Sequence, residues 1–196
     1  MPRRPRVETP GLYHVGSRGN NKQVVFDDLI RPRFLMQLDV VATAFEWDVY
    51  AWALMSNHFH LVLEIDELGL AKGMQRLNLA FAQISNEQFG RINHCVGARY
   101  WSEPIEDDRH LHECIRYVLL NPVRAGIVED ALDSGWTSLR ASVGLAPVPR
   151  ALAQAKLLAL FDNAPAAANP RPRAASRAGR PCPGCSRAAS GPPACS

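Results

Sequence analysis

The run from Trp52 to Glu64, W-A-L-M-S-N-H-F-H-L-V-L-E, sets two histidines inside an otherwise apolar stretch. In extended chain, side chains alternate between faces, so His58, His60, Val62 and Glu64 point one way and Phe59, Leu61, Leu63 and Ile65 the other. Two imidazoles then share one side of a sheet, on Cα positions about 6 to 7 Å apart at strand rise. They are either ordinary polar positions on a half-buried strand or two nitrogens converging on one small cation.

The surrounding periodicities give the strand its partners. Leu12 to Ser17 alternates like a short strand, and Arg18-Gly19-Asn20-Asn21 after it is a turn signal. Leu29 to Phe45 carries apolar residues at helical spacing, with Pro32 tolerated in its first turn. Trp47 to Met55 reads as a strand, and Ser56-Asn57 as a bulge or turn before the histidines. Leu70, Met74, Leu77, Phe81 and Ile84 make the stripe of a second helix. A further strand is expected over Ala98 to Ile105, followed by a helix opening near Glu106, Asp107 and Asp108, where acidic side chains cap and complement the helix dipole. The order β-α-β-β-α-β followed by α spells an α+β fold of the ferredoxin-like, split-βαβ kind, an antiparallel sheet with two helices on one face. Trp136 to Gly144 and Leu152 to Phe161 are each expected to add a short helix.

Charge distribution narrows the function classes. Five of the 22 basic residues fall after Asn163 with no acid among them, which leaves 17 against all 19 acidic residues over 1–163, a formal −2. The body is therefore no generic polyanion binder, and nucleic acid would have to meet a local basic surface. No run of eighteen apolar residues and no signal-peptide pattern is present, and a cytoplasmic protein is expected. Beyond 163 the chain lacks Leu, Ile, Val, Phe, Tyr and Trp and is expected to be disordered. The C-x-x-C of Cys182 and Cys185 has no second half and is read as a pair of inert thiols. The expected divisions are a basic arm at 1–10, a domain at 11–146, a helical extension at 147–163 and the tail at 164–196.

The third helix is the second informative stretch. Leu111, Cys114, Ile115, Val118 and Leu119 form its apolar stripe, and it is expected to end near Leu120, because Asn121 precedes a proline. Tyr117 sits about 130° from the centre of that stripe at 100° per residue. It follows Glu113 and precedes Asn121 at i+4 spacing, so the three project from one face if the last turn holds. A tyrosine there is either a surface aromatic or a nucleophile. The second reading needs help, since a phenol titrates near 10 and attacks poorly at neutral pH. A cation on His58 and His60, with the Asn121 amide oxygen as third ligand, would polarise a phosphodiester held in line with the Tyr117 oxygen.

M-S-N-H-F-H-L-V-L at 55–63 and R-Y-V-L-L-N-P-V-R-A-G at 116–126, with Y-H-V-G-S-R-G-N at 13–20 and F-D-D at 26–28, resemble the IS200-like transposases. These are HUH endonucleases with one catalytic tyrosine, and the likeness is to their REP-associated branch in particular, over residues 11–161. The resemblance implies a ferredoxin-like domain with a third helix carrying the nucleophile. It further implies binding of single-stranded DNA hairpins at repeated extragenic palindromes, and nicking with Mg²⁺ or Mn²⁺ to leave a 5′-phosphotyrosine. By matching position, His58 and His60 would be the metal ligands, Tyr117 the nucleophile and Asn121 the residue completing the metal site. Arg18, Asn20, Arg99 and Arg124 are the expected DNA contacts, with Tyr13, Tyr100 and Trp101 as stacking candidates. The connection over 90–99, G-R-I-N-H-C-V-G-A-R, departs from the family's commoner pattern in a region expected to face DNA. The alternative function is a domesticated hairpin-binding protein with little cleavage activity, and both monomer and homodimer are open.

Overall fold

The computed structural model describes residues 9–66, 69–91 and 100–162. Arg99, Cys95 and the cysteines of the tail lie outside the described residues, as does the segment expected to be disordered.

Four strands, β1 (Gly11–Arg18), β2 (Trp47–Leu54), β3 (His58–Ile65) and β4 (Trp101–Pro104), form one sheet in the order β2-β3-β1-β4. Every pairing is antiparallel. With helices α1 (Ile30–Ala44) and α2 (Leu70–Phe89) inserted after β1 and β3, this is the split-βαβ order that the sequence predicts. Helix α3 (Asp108–Leu119) follows β4, and three short helices complete the body: α4 (Asn121–Arg124), α5 (Leu139–Ser142) and α6 (Gln154–Asp162).

The sheet is covered on both faces. Phe59, Leu61, Leu63 and Ile65 of β3 join Val15, Val49, Trp52 and Leu54 on the face that α1 and α2 cover through Phe34, Leu38, Met74, Leu77 and Phe81. Phe26, Phe34, Phe59 and Phe81 stack and edge one another there, with centroids 4.4 to 6.4 Å apart. On the opposite face Leu111, Cys114, Ile115 and Val118 of α3 pack on Tyr50, Ala51, Ala53 and Val62, with Leu157 of α6 beside them. Being buried on both sides is why β3 reads as a nearly continuous apolar run.

A bulge in β2 makes this division possible. Val49 pairs with Leu63 and Ala51 with Val62, so one extra residue is accommodated between them. Trp47, Val49, Trp52 and Leu54 thereby face α1 and α2, while Tyr50, Ala51 and Ala53 all face α3. Strict alternation along 47–54 cannot give that partition. Two alanines beside Val62 and His60 leave room for a helix to approach.

Asp107 caps α3, its carboxylate accepting from the His110 backbone N–H at 2.7 Å. Helix α3 stops at Leu119 as the proline predicts, but the chain does not leave the helical path: Leu120 keeps φ −89° and ψ 4°, and Asn121 opens α4 with Pro122 in its first turn. After α4, the chain returns along the open edge of β2. Leu54 and Trp136, Trp52 and Ser138, and Val49 with Ala151 and Ala153 exchange backbone hydrogen bonds. That segment covers an edge that would otherwise offer unpaired N–H and C=O groups. Among the described residues no helix is long and apolar enough to cross a membrane.

Candidate functional site

Register brings the polar residues together. Across β1 and β3, Gly16 faces His60 and Arg18 faces His58, while His14 faces Val62. Across β1 and β4, Gly16 faces Trp101. His14, Arg18, His58, His60 and Trp101 therefore share the α3 side of the sheet, and α3 lays Tyr117 over them. The Tyr117 ring is 5.7 Å from the His60 ring and 6.0 Å from that of His14, edge-on to both. Arg124, one helical turn past α3, sets its guanidinium over the tyrosine ring, 5.0 Å from the centroid.

The two histidines of β3 stand 5.0 Å apart at 85°. Each has its Nδ1 engaged: that of His58 donates to Asn57 Oδ1 at 2.6 Å, and that of His60 lies 3.2 Å from His14 Nε2. Burial, with Arg18 nearby, holds His58 down at about 4. Burial, then His14, His58 and Arg18, hold His60 well below the usual imidazole range. Burial, with His110 adding to it, holds His14 at about 3. All three are neutral imidazoles at physiological pH, the form that ligates metals. The Nε2 atoms of His58 and His60 are the ones left by these contacts.

Backbone contacts tie the surrounding turns to the site. The Gly19 N–H donates to the Asn57 carbonyl, and the N–H groups of Val25 and Phe26 both donate to that of Ser56. The Asn57 side-chain amide donates to the Lys22 carbonyl. The turn that holds Asn20 is thus anchored beside the histidine strand, with Asn21 and Lys22 in left-handed conformation. Gly16 is a packing requirement: a Cβ there would lie 2.6 Å from the Trp101 ring and 2.5 Å from the Phe59 carbonyl.

Of the expected site residues, His58, His60, Arg18, Arg124 and Tyr117 converge, and Asn20 lies in the adjoining turn. Asn121 is 8% exposed at the start of α4, one turn beyond Tyr117. Tyr13 and Tyr100, expected to stack on bases, do not reach the site. Both are 7% exposed in the core beneath α1 and α2, and the Tyr13 hydroxyl donates to the Thr9 carbonyl, so neither can stack on a base. Strand alternation sends Tyr13 inward with Val15. Trp101 alone of the three reaches the site, 4.6 Å from His14 and 5.5 Å from His60.

His14 and Asn57 are the residues that sequence reasoning missed. The signal for His14 was its place two residues before Gly16 on an alternating strand, but it needs the register to become visible. Among the described residues no three His, Cys, Asp or Glu side chains gather as a metal-binding set. A cation here would take two nitrogens from His58 and His60 and its remaining ligands from oxygen, a mixed set that suits Mn²⁺ better than Mg²⁺.

The family model for IS200-like transposases matches residues 10–118, more than half of the chain. The chain belongs to that family. Among solved structures, a REP-associated tyrosine transposase bound to a REP hairpin superposes with a TM-score of 0.60 over 76% of this chain and 90% of that one, at 17% identity, which establishes the shared fold of this IS200-like chain. A putative transposase from Deinococcus radiodurans matches with a TM-score of 0.44 at 16% identity, over 62% of this chain and 97% of that one. Among curated proteins no significant match is found.

Proposed function

We propose that this IS200-like transposase is a metal-dependent endonuclease and strand transferase acting on single-stranded DNA, that it belongs to the REP-associated branch, and that it nicks beside palindromic hairpins through a 5′-phosphotyrosine. The observation that carries the reading is the placement of Tyr117 on α3 against the His60 ring, with the Arg124 guanidinium over the tyrosine ring. The hairpin as partner is supported by the solved relative of like fold, which holds one.

In the reaction, the Tyr117 oxygen attacks the phosphorus of the scissile phosphodiester. The phenolic proton is lost to water as the O–P bond forms, the bond from phosphorus to the 3′ oxygen breaks, and that oxygen leaves protonated as a 3′-hydroxyl. One phosphodiester replaces another, so a later attack by a 3′-hydroxyl rejoins strands without ATP. His58 and His60, through Nε2, and the Asn121 amide oxygen would hold the divalent cation, which when bound neutralises charge on the non-bridging oxygens. Arg18 and Arg124 position phosphates around the tyrosine, Asn20 and Arg99 extend the contact, and Trp101 offers a stacking surface.

The test is a nicking assay on labelled single-stranded hairpins from repeats flanking the gene, with Mn²⁺ or EDTA. Wild type should yield an upstream fragment with a free 3′-hydroxyl and a downstream fragment joined to protein through its 5′ phosphate only with Mn²⁺, and Tyr117→Phe should yield neither while still shifting the hairpin on a native gel. Hairpin binding with no nicking by wild type would replace this reading with a hairpin-binding protein.

A further inference from the structure

His14 is 1% exposed, sits diagonally across the sheet from His60, and has no part in the chemistry just described. A neutral imidazole has one N–H and one lone pair, so a single proton lies between His14 Nε2 and His60 Nδ1 at 3.2 Å. Two arrangements share it. If His14 donates, the proton of His60 is on Nε2 and that nitrogen cannot ligate. If His60 donates, His60 Nε2 carries a lone pair.

We infer that His14 is a positioning residue for His60: its Nε2 accepts the His60 Nδ1–H, fixing the ring orientation and the tautomer that presents a lone pair on His60 Nε2 to a cation. The inference rests on the metal reading of His58 and His60 above. The other ligand supports it, because His58 Nδ1 faces Asn57 Oδ1, an oxygen that can only accept, so its Nε2 is unprotonated. Both histidines then have an acceptor behind Nδ1, the arrangement that orients metal-bound histidines generally. Packing holds the His14 ring in place. Trp101 stands edge-on at 4.6 Å, Tyr117 at 6.0 Å, and the missing side chain of Gly16 gives Trp101 its room.

The experiment combines imidazole ¹⁵N NMR of the metal-free protein with Mn²⁺ titration calorimetry on wild type, His14→Leu and His14→Gln, whose amide oxygen can accept where Nε2 did. His60 in wild type should be the Nδ1–H tautomer. Mn²⁺ affinity should fall about 10- to 100-fold in His14→Leu and return to within about threefold of wild type in His14→Gln. A burial role alone would be met by leucine and would not be rescued by glutamine. An Nε2–H tautomer of His60 in wild type, or a folded His14→Leu protein that binds Mn²⁺ as wild type does, overturns the inference. If His14→Leu fails to fold, the wild-type spectrum and His14→Gln still decide it. Wild type that binds no Mn²⁺ counts against the metal reading instead, since the tautomer is read without metal.

Discussion

The two faces of the sheet are built from the same four strands and do opposite work. Beneath α1 and α2 the strands present mainly apolar side chains, with Tyr13 turned inward among them, closed by four mutually packed phenylalanines. Beneath α3 the same strands present His14, His58, His60, Arg18 and Trp101 among alanines and a glycine. Burying imidazoles costs free energy unless their nitrogens are satisfied, and a chain that only needed to fold would have put aliphatic side chains there. The first face supplies stability, and the second uses it to hold a buried set of polar groups in register.

Substitutions can break this contrast in graded ways. On the stabilising face, Phe59→Ala removes a fully buried ring from the aromatic cluster and should cost about 3–5 kcal/mol in denaturant unfolding. Gly16→Ala strikes the other face. The added methyl meets the Trp101 ring and the Phe59 carbonyl, so the cost should be smaller, about 1–3 kcal/mol, with Trp101 displaced and nicking slowed by more than the lost stability explains. Tryptophan fluorescence and a nicking time course check the two parts. Asp107→Ala removes the cap that starts α3 and should cost about 1 kcal/mol. In a domain of this size that is a fall of roughly 2–4 °C in Tm. Arg109→Ala opens an exposed ion pair with Glu113 in the first turns of α3 and should change stability by less than about 0.5 kcal/mol, with nicking unaffected.

The contrast between faces was partly legible in the sequence. Phe59, Leu61, Leu63 and Ile65 against His58, His60 and Val62 follow from alternation within one strand, and the stripe of α2 from helical spacing within one helix, because both periodicities are local. What escaped depended on register or on an irregularity. His14 meets His60 only through the β1–β3 pairing, 46 residues apart in the chain. The bulge at Tyr50 carries no composition signal, since Val-Tyr-Ala-Trp fits a regular strand equally well. Tyr13 and Tyr100 are stacking candidates in sequence because single-stranded nucleic acid is bound on aromatic rings, and the direction of their strands sends them into the core instead. Asn57 looked like a turn residue and is one, yet its side chain also fixes His58.

The most direct test of the account is to trap the wild-type reaction with a hairpin substrate in Mn²⁺, digest the product and locate the nucleotide adduct by tandem mass spectrometry. The expected product is a phosphodiester-linked nucleotide on Tyr117 in the peptide that spans α3. An adduct on Tyr13, Tyr50 or Tyr100, or cleavage with no protein-linked product, would contradict it.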